Sequence, residues 1–447
     1  MFGLRKNTIP WFHSVAFLAI CFIWMMFLRV GSTLIGIDPI DESVYPFPVS
    51  MENYTQNVRI KSFQNFDNID APESIAIYQD RMVTGSGDGH IYEIKPIDRD
   101  NYEFIPLVKV IDDGLKKIKI ASANRTQTNQ RRFSRPLGIK FDSKGNLLVT
   151  EPWYGIIRIK NIFIKPQSEL IFDIDQTEQL DGGRSKMIDD LAFEEKSNDS
   201  YIIYMTDSSS RFDLEHLLAL LGSSDFTGRL IRYDTETKKL DSLMNNIHFP
   251  NGIEISADNS FLLFSEFQTR TVWKYHLKGV KTGVAEKILT NLPAEVDNIR
   301  LNRAKNGQTF WLGMMKPRIQ GKQTLHDLFN RWPSIRLGLF IITNSIANLI
   351  DWINSFLSIS YLNELAIYFR ALKFAKVVLN EFFHGGMLLE IDANSNIVTS
   401  VYDFDDTNLN FASEVAEIES DSDSERTLLL GSFMRSTIRK LIITRDN

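Results

Sequence analysis

His248-Phe-Pro-Asn-Gly-Ile-Glu-Ile-Ser-Ala-Asp-Asn-Ser-Phe-Leu-Leu-Phe-Ser-Glu-Phe-Gln-Thr-Arg-Thr-Val-Trp-Lys-Tyr-His-Leu277 is the stretch that decides the fold. Ile253 and Ile255 alternate with polar neighbours, the period of a half-buried strand. Ala257-Asp-Asn-Ser260 supplies turn chemistry. The run from Phe261 to Phe264 suits a strand buried on both faces; Gln268-Thr-Arg270 is a second turn, and Val272, Trp273 and Tyr275 open a third strand. Pro250-Asn-Gly252 reads as a turn ahead of the first strand, at an inner rim, with Asn251 pointing into a central channel. The whole stretch reads as one blade of a β-propeller.

The same sentence recurs along the chain. Ser74-Ile-Ala-Ile77, Met82-Val-Thr-Gly85 and His90-Ile-Tyr-Glu-Ile94 form one unit. Pro136-Leu-Gly-Ile139, Asn146-Leu-Leu-Val149 and Gly155-Ile-Ile-Arg-Ile159 form the next, followed by Asp189 to Phe193, Tyr201 to Met205 and Arg229 to Tyr233. After the organising blade come Asp297-Asn-Ile-Arg300 and Thr309-Phe-Trp-Leu-Gly313, whose third strand is displaced to Met387-Leu-Leu-Glu-Ile391. The last unit is Glu414 to Ile418, Thr427 to Gly431 and Thr437 to Leu441. One blade cannot bury both its faces, so the expectation is an all-β, six-bladed propeller. Val58-Arg-Ile-Lys-Ser-Phe63 is the expected strand that closes the ring against the last blade.

At 447 residues the chain exceeds one ordinary domain but suits a propeller with an anchor and an insertion. A net charge of -6 argues against nucleic acid as partner. Cys21 is the single cysteine, so neither an intrachain disulfide nor a cysteine-rich zinc site is available.

Arg5 and Lys6 precede an apolar, aromatic run over residues 11–28, continued past Arg29 to residue 37. A helix needs about 20 apolar residues to cross a bilayer, and the run qualifies if Arg29 snorkels. The basic flank predicts a cytoplasmic tail at 1–10, a signal-anchor at 11–37, a Pro-containing linker at 38–57 and the propeller from 58 to 447 on the far side. This is a single-pass type II arrangement in the endoplasmic reticulum or plasma membrane; a cleaved signal peptide is the alternative. Asn53, Asn124 and Asn198 head glycosylation triplets, as a luminal or extracellular ectodomain requires.

Residues 113–133 read as a basic, polar loop, residues 208–228 as a short helix inserted in blade three, and Asp421 to Arg426 as a solvated acidic hairpin tip. Residues 316–383 break the repeat. They hold eight Lys/Arg and four Asp/Glu, a balance of +4 against -10 for the remainder. Residues 337–350 are uncharged but only 14 long, short for a span. Two readings stand: helices forming a lid over the propeller mouth, or a basic, aromatic-rich helical pair at the membrane interface, with lipid as its partner.

Glu73, Asp189, Asn251, Asp297 and Asn298 each fall at or just before the first strand of a blade, positions that converge on one end of the channel. All five offer oxygen, which is calcium chemistry. The bland alternative is a set of turn caps at blade starts.

Arg135-Pro-Leu-Gly-Ile139, Tyr204-Met-Thr-Asp-Ser-Ser-Ser210, Gly228-Arg-Leu-Ile-Arg-Tyr-Asp234, Phe249-Pro-Asn-Gly252 and Asp297-Asn-Ile-Arg300, in this order, resemble the strictosidine synthase-like proteins. The resemblance covers most of the chain from Pro72 to Leu441 and implies a six-bladed propeller related to paraoxonases and gluconolactonases. It implies a calcium-dependent arylesterase or lactonase acting on a small ester or lactone, in a membrane glycoprotein. Carried over residue by residue, the metal ligands fall on Glu73, Asp189, Asn251, Asp297 and Asn298, with Asp189 where relatives usually have Asn. The two histidines of paraoxonases fall on Leu137 and about Met315, so that dyad is absent. His248 and His384 are weak substitutes, each as well explained by a turn or hinge. The catalytic Glu of strictosidine synthase itself falls on Glu414, with only a partial local match, and its alkaloid chemistry is not expected here. Asp189 and Glu73 are the candidate bases. A scaffold that binds a partner or lipid and catalyses nothing is the competing expectation, favoured by the missing histidines.

Overall fold

The computed structural model describes residues 20–31, 51–98, 101–112, 115, 134–197, 199–305, 307–315, 317, 332–370, 385–404, 408–418 and 424–445. Asn124, Asn198, His384, the 1–10 tail, most of the 113–133 loop and most of the linker lie outside the described residues, as does the Asn53 side chain.

Alternation of small apolar runs with turn residues folds the chain into six four-stranded antiparallel sheets. Blade one is β2 (Ile75–Tyr78), β3 (Arg81–Gly85), β4 (His90–Pro96) and β5 (Tyr102–Lys109). Blade two is β6 (Ile139–Phe141), β7 (Leu147–Glu151), β8 (Gly155–Lys160) and β9 (Gln167–Asp173). Blade three is β10 (Met187–Glu195), β11 (Tyr201–Ser209), β12 (Gly228–Asp234) and β13 (Leu240–Ile247). Blade four is β14 (Pro250–Ile255), β15 (Phe261–Glu266), β16 (Thr271–His276) and β17 (Ala285–Leu289). Blade five is β18 (Val296–Leu301), β19 (Thr309–Met314), β20 (Gly386–Asp392) and β21 (Ile397–Asp403). Blade six joins β22 (Glu414–Ile418), β23 (Glu425–Gly431) and β24 (Thr437–Arg445) to β1 (Val58–Asp67) from the start of the propeller. The first strand of each blade touches the first strand of the next, and β2 touches β22, so the ring is closed.

Closure follows the expectation for Val58 to Phe63, but the strand runs on to Asp67, with Phe63 opposite Leu441 and Phe66 opposite Ile438. The displaced third strand of blade five is β20, pairing Leu389 with Leu312 across the insertion. β15 is buried at every position, as its unbroken apolar run demands. The core lies between blades: Leu263 and Val272 of blade four meet Ile299, Leu312 and Leu389 of blade five with at most 1% exposure. Burial of each such side chain is worth about 1.5–3 kcal/mol.

The acidic tip is corrected in part. Glu425 and Arg426 belong to β23, and Arg426 turns inward to bind Glu390 and Glu417. Residues 421–423 are outside the described set.

A second, helical unit comprises residues 1–42, 215–224 and 325–379. Its described helices are α1 (Ile20–Gly31), α2 (Leu217–Gly222), α3 (Pro333–Leu357) and α4 (Ser360–Arg370). α2 is the short helix expected within 208–228. Pro333 sits at the helix start, where its missing N–H costs nothing. α3 stops at Ser358, which is left-handed at φ 54, while the Asn354 side chain accepts from the Ile359 N–H at 2.7 Å. At 25 residues α3 far outruns the 14-residue uncharged run, because Arg336 and Asp351 are absorbed into one helix. Its segment Ser334–Leu357 is long and apolar enough to cross a membrane, and α1 is a shorter apolar helix. Gly338 makes room for the Trp24 ring; a Cβ there would collide with it.

Candidate functional site

The innermost strands β10, β14 and β18 each begin with a register slip. The slips fall between Ile188 and Leu191, between Pro250 and Ile253, and between Val296 and Ile299. Pro250-Asn-Gly252 is therefore not a turn before the strand but a bulge inside it. A bulge re-aims side chains that plain alternation would send elsewhere. The residues inside these three bulges are Asp189 and Asp190, Asn251 and Gly252, and Asp297 and Asn298. Gly252 is required by proximity: a Cβ would come within 2.5 Å of Asn298 Cα and the Asp297 carbonyl.

The bulges are pinned by hydroxyls from the neighbouring blade. Thr150 donates to the Asp189 carbonyl at 2.5 Å, Thr206 to that of Asn251 at 2.5 Å, and Ser265 to that of Asp297 at 2.9 Å. These three residues went unnoticed as a set in the sequence, yet the signal is there. Each stands in the second strand of its blade and is followed by an acid, in Thr150-Glu151, Thr206-Asp207 and Ser265-Glu266. The acids tie down loops at the blade ends: Glu151 accepts from the Arg135 N–H at 2.9 Å and Glu266 from the His248 N–H at 3.0 Å.

Two layers of polar groups result. In the outer layer Glu73, Asp189, Asn251, Asp297 and Asn298 are all buried. Glu73 Oε2, Asp189 Oδ1 and Asn251 Oδ1 have no hydrogen-bond partner there. The nearest cation to Glu73 Oε2 is Arg135, 3.6 Å away, an ion pair without a hydrogen bond. Asp189 Oδ2 accepts from the Ser208 hydroxyl at 3.1 Å. Burial, then the neighbouring Asp189, push the Glu73 carboxyl well above the usual range. Burial and the Asp297 charge do the same to Asp189. Burial pushes Asp297 up to about 7, against hydrogen bonds from Ser413 and Asn251 and the charge of Arg300. The three acids feel one another's charge, and two of them, Glu73 and Asp189, each keep an oxygen without a hydrogen bond.

The inner layer was not foreseen as a unit. Arg300 Nη1 meets Asp190 Oδ2 at 2.6 Å and its Nη2 meets Glu414 Oε2 at 2.8 Å and Ser74 Oγ at 3.1 Å. Lys140 binds Glu254 at 2.9 Å and the Ile253 carbonyl at 2.9 Å. Glu414 Oε1 accepts from the Ile75 N–H at 2.7 Å, and Asn298 Nδ2 donates to Oε2 at 3.2 Å. Glu414, carried over as a catalytic candidate, therefore has both oxygens engaged and serves the cross-link through the channel. The reason is Arg300, which balances Asp190 and Glu414 where water does not reach.

Buried carboxylates with unpaired oxygens beside amide oxygens suit a hard divalent cation. Among the described residues no group of three or more His, Cys, Asp or Glu is placed to hold a metal by itself. Glu73, Asp189 and Asp297 are three such acids, so their carboxylates alone are not arranged as a metal site, and a cation there would depend on the amide oxygens of Asn251 and Asn298 as well. Leu137 is 1% exposed and Met315 donates its N–H to the Glu295 carbonyl, so neither position offers an imidazole. His248 is held by its Nδ1 to the Asp225 carbonyl at 3.1 Å, a loop anchor rather than a channel base.

A strictosidine synthase family profile matches residues 194–280. The chain is 28% identical over 296 residues to adipocyte plasma membrane-associated protein of Salmo salar, a match covering 66% of this chain and 65% of that one. It is 34% identical over 181 residues to strictosidine synthase-like 3 of Arabidopsis thaliana, covering 40% of this chain and 43% of that one. Among solved structures a gluconolactonase from Xanthomonas campestris aligns with TM-score 0.46 and 11% identity, covering 90% of this chain and 99% of that one.

Proposed function

The chain belongs to the strictosidine synthase-like family, and from that premise we propose that it is a membrane-anchored, calcium-dependent hydrolase of small esters or lactones. The observation that carries this reading is the set of unpaired buried oxygens on Glu73, Asp189 and Asn251 beside Asp297. Calcium, held by Glu73, Asp189, Asn251, Asp297 and Asn298, would supply polarisation of a carbonyl oxygen. The rest falls to side chains of this chain. Ser208 fixes one Asp189 oxygen and leaves the other aimed at the site. Asp189 is the better placed base; Glu73, beside Arg135, is the second.

The test is hydrolysis of phenyl acetate and of an aliphatic lactone by the purified full chain, with calcium or with chelator. Calcium-dependent turnover lost in Asp189→Ala supports the hydrolase. Calcium binding by calorimetry without turnover of either substrate supports a second reading, a non-catalytic scaffold, which the apolar Leu137 and Met315 positions favour.

We also propose type II insertion, with residues 1–10 cytoplasmic and the propeller luminal or extracellular, from the flanking charge of Arg5 and Lys6. In intact microsomes protease should leave the propeller whole, and after detergent a glycosidase should lower its mass through Asn53, Asn124 or Asn198. A propeller digested without detergent reverses the assignment.

A further inference from the structure

α3 presents an unusual surface. Ile335, Ile342, Ile346, Leu349, Ile353 and Phe356 are exposed by 56, 44, 37, 56, 38 and 71%. Their spacings of three, four and seven place them on one helical face, while Phe340, Ile341 and Ala347 are buried on the other. The stripe runs about 32 Å at 1.5 Å per residue. Thr343 and Asn344 do not interrupt it. They point to the buried side and donate back to the helix at 3.0 Å to the Leu339 carbonyl and 2.9 Å to the Phe340 carbonyl.

Three features say what covers this face. Trp332 and Trp352 are exposed by 53 and 62%, the residue type that favours a headgroup boundary. The insertion carries a +4 balance, with Arg370, Lys373 and Lys376 following closely in sequence. Trp24 of α1 is lodged at Gly338, and α1 exposes Ile20, Phe22, Ile23 and Met25 by 59–66%. The apolar surface of α3 is thus continuous with that of the N-terminal anchor segment.

Connectivity then excludes a crossing. The insertion leaves blade five after β19 and returns at β20, and these strands are hydrogen-bonded neighbours. Both its ends must lie on one side of the membrane, so a crossing by α3 would need a second one back. The return leg, residues 358–384, carries Glu364, Arg370, Lys373, Lys376 and Glu381, charges that are costly in hydrocarbon. α4, with 11 residues, reaches only about 16 Å of the ~30 Å required.

We propose that α3 lies in the plane of the bilayer leaflet on the propeller's side as a monotopic helix, its isoleucine-rich stripe immersed among the acyl chains. The inference rests on the membrane residence proposed above. The test uses the full chain in vesicles containing phosphatidylserine, in a Cys21→Ser background, with a spin label placed singly through Ile335→Cys, Ile346→Cys or Phe356→Cys. The expected result is one shared depth, about 5–10 Å below the headgroups. A depth that peaks at position 346 means a crossing and overturns the proposal. Water-exposed labels at all three positions mean a lid and overturn it equally. A fourth label through Ile23→Cys separates the failures, since it stays in lipid if only the α3 reading is wrong and is aqueous if the anchor itself is wrong. Unsubstituted protein photolabelled from within the lipid guards against misfolding of the variants. It should carry label on the α3 peptide, and an unlabelled α3 peptide overturns the proposal.

Discussion

Arg300 is 8% exposed and shares its guanidinium between Asp190 and Glu414, carboxylates from blades three and six. A buried pair is no great source of stability in itself, but removing one partner strands the other. Arg300→Met leaves two acids unpaired in the channel, and the expected loss is about 3–5 kcal/mol in urea unfolding of the full chain. Neutralising both acids as well, through Asp190→Asn and Glu414→Gln, should restore most of it. If Arg300→Met alone costs nothing, the inner layer is not a cross-link. The neighbouring Asp189 behaves differently because the β10 bulge turns it to the outer layer, where its Oδ1 stays unpaired.

Between elements, the clearest polar clamp joins blades five and six. Arg426 on β23 reaches Glu390 on β20 at 2.9 Å and Thr399 on β21 at 3.0 Å. Burial alone would raise the Glu390 carboxyl, but Arg426 and the Thr309 and Thr399 hydroxyls hold it down to about 2. The folded-state value lies below the ordinary value of 4.5, so the clamp contributes fully above pH 4.5 and is lost as pH falls toward 2. The shift is worth about 3 kcal/mol at ~1.36 kcal/mol per unit. Chemical denaturation between pH 6 and 2 should therefore show a shallower fall in stability for Glu390→Gln than for the unsubstituted chain. Parallel slopes would remove Glu390 from the acid response. At the same scale, β1 carries the ring closure, and its pairing through Asp67 exceeds the six residues the alternation suggested.

At the scale of the whole molecule the outer layer sets a balance between repulsion and cross-linking. Glu73, Asp189 and Asp297 come from blades one, three and five, and each is raised by burial. Calcium bound among them would join blades around the ring and favour the folded state by RT ln(1 + [L]/Kd), about 2.7 kcal/mol at ~100-fold excess over Kd. Calcium should raise the melting temperature of the full chain, and Asp297→Ala should abolish that rise without lowering the chelated baseline, because a buried acid is costly there. A melting curve indifferent to chelator would reduce the five residues to turn caps.

The blade repeat, its closure by an N-terminal strand and the place of five buried acid and amide side chains at blade starts were legible in the sequence. Each is written in short-range terms: alternation, turn residues, and what stands at the start of a strand. The division of labour inside Asp189-Asp190 and Asp297-Asn298-Ile-Arg300 was not, because the bulges in β10 and β18 suspend the two-residue alternation from which facing is read. Nor was the engagement of Glu414, whose partner Arg300 lies 114 residues earlier and meets it only when the ring closes. Periodicity and turn chemistry act over a few residues, and they suffice for a six-bladed ring with acid and amide side chains at its blade starts. Only the tertiary structure decided which acids are paired across the axis and which keep free oxygens, and that an uncharged run of 14 residues belongs to a helix of 25, since pairing and burial depend on neighbours the chain brings from far away.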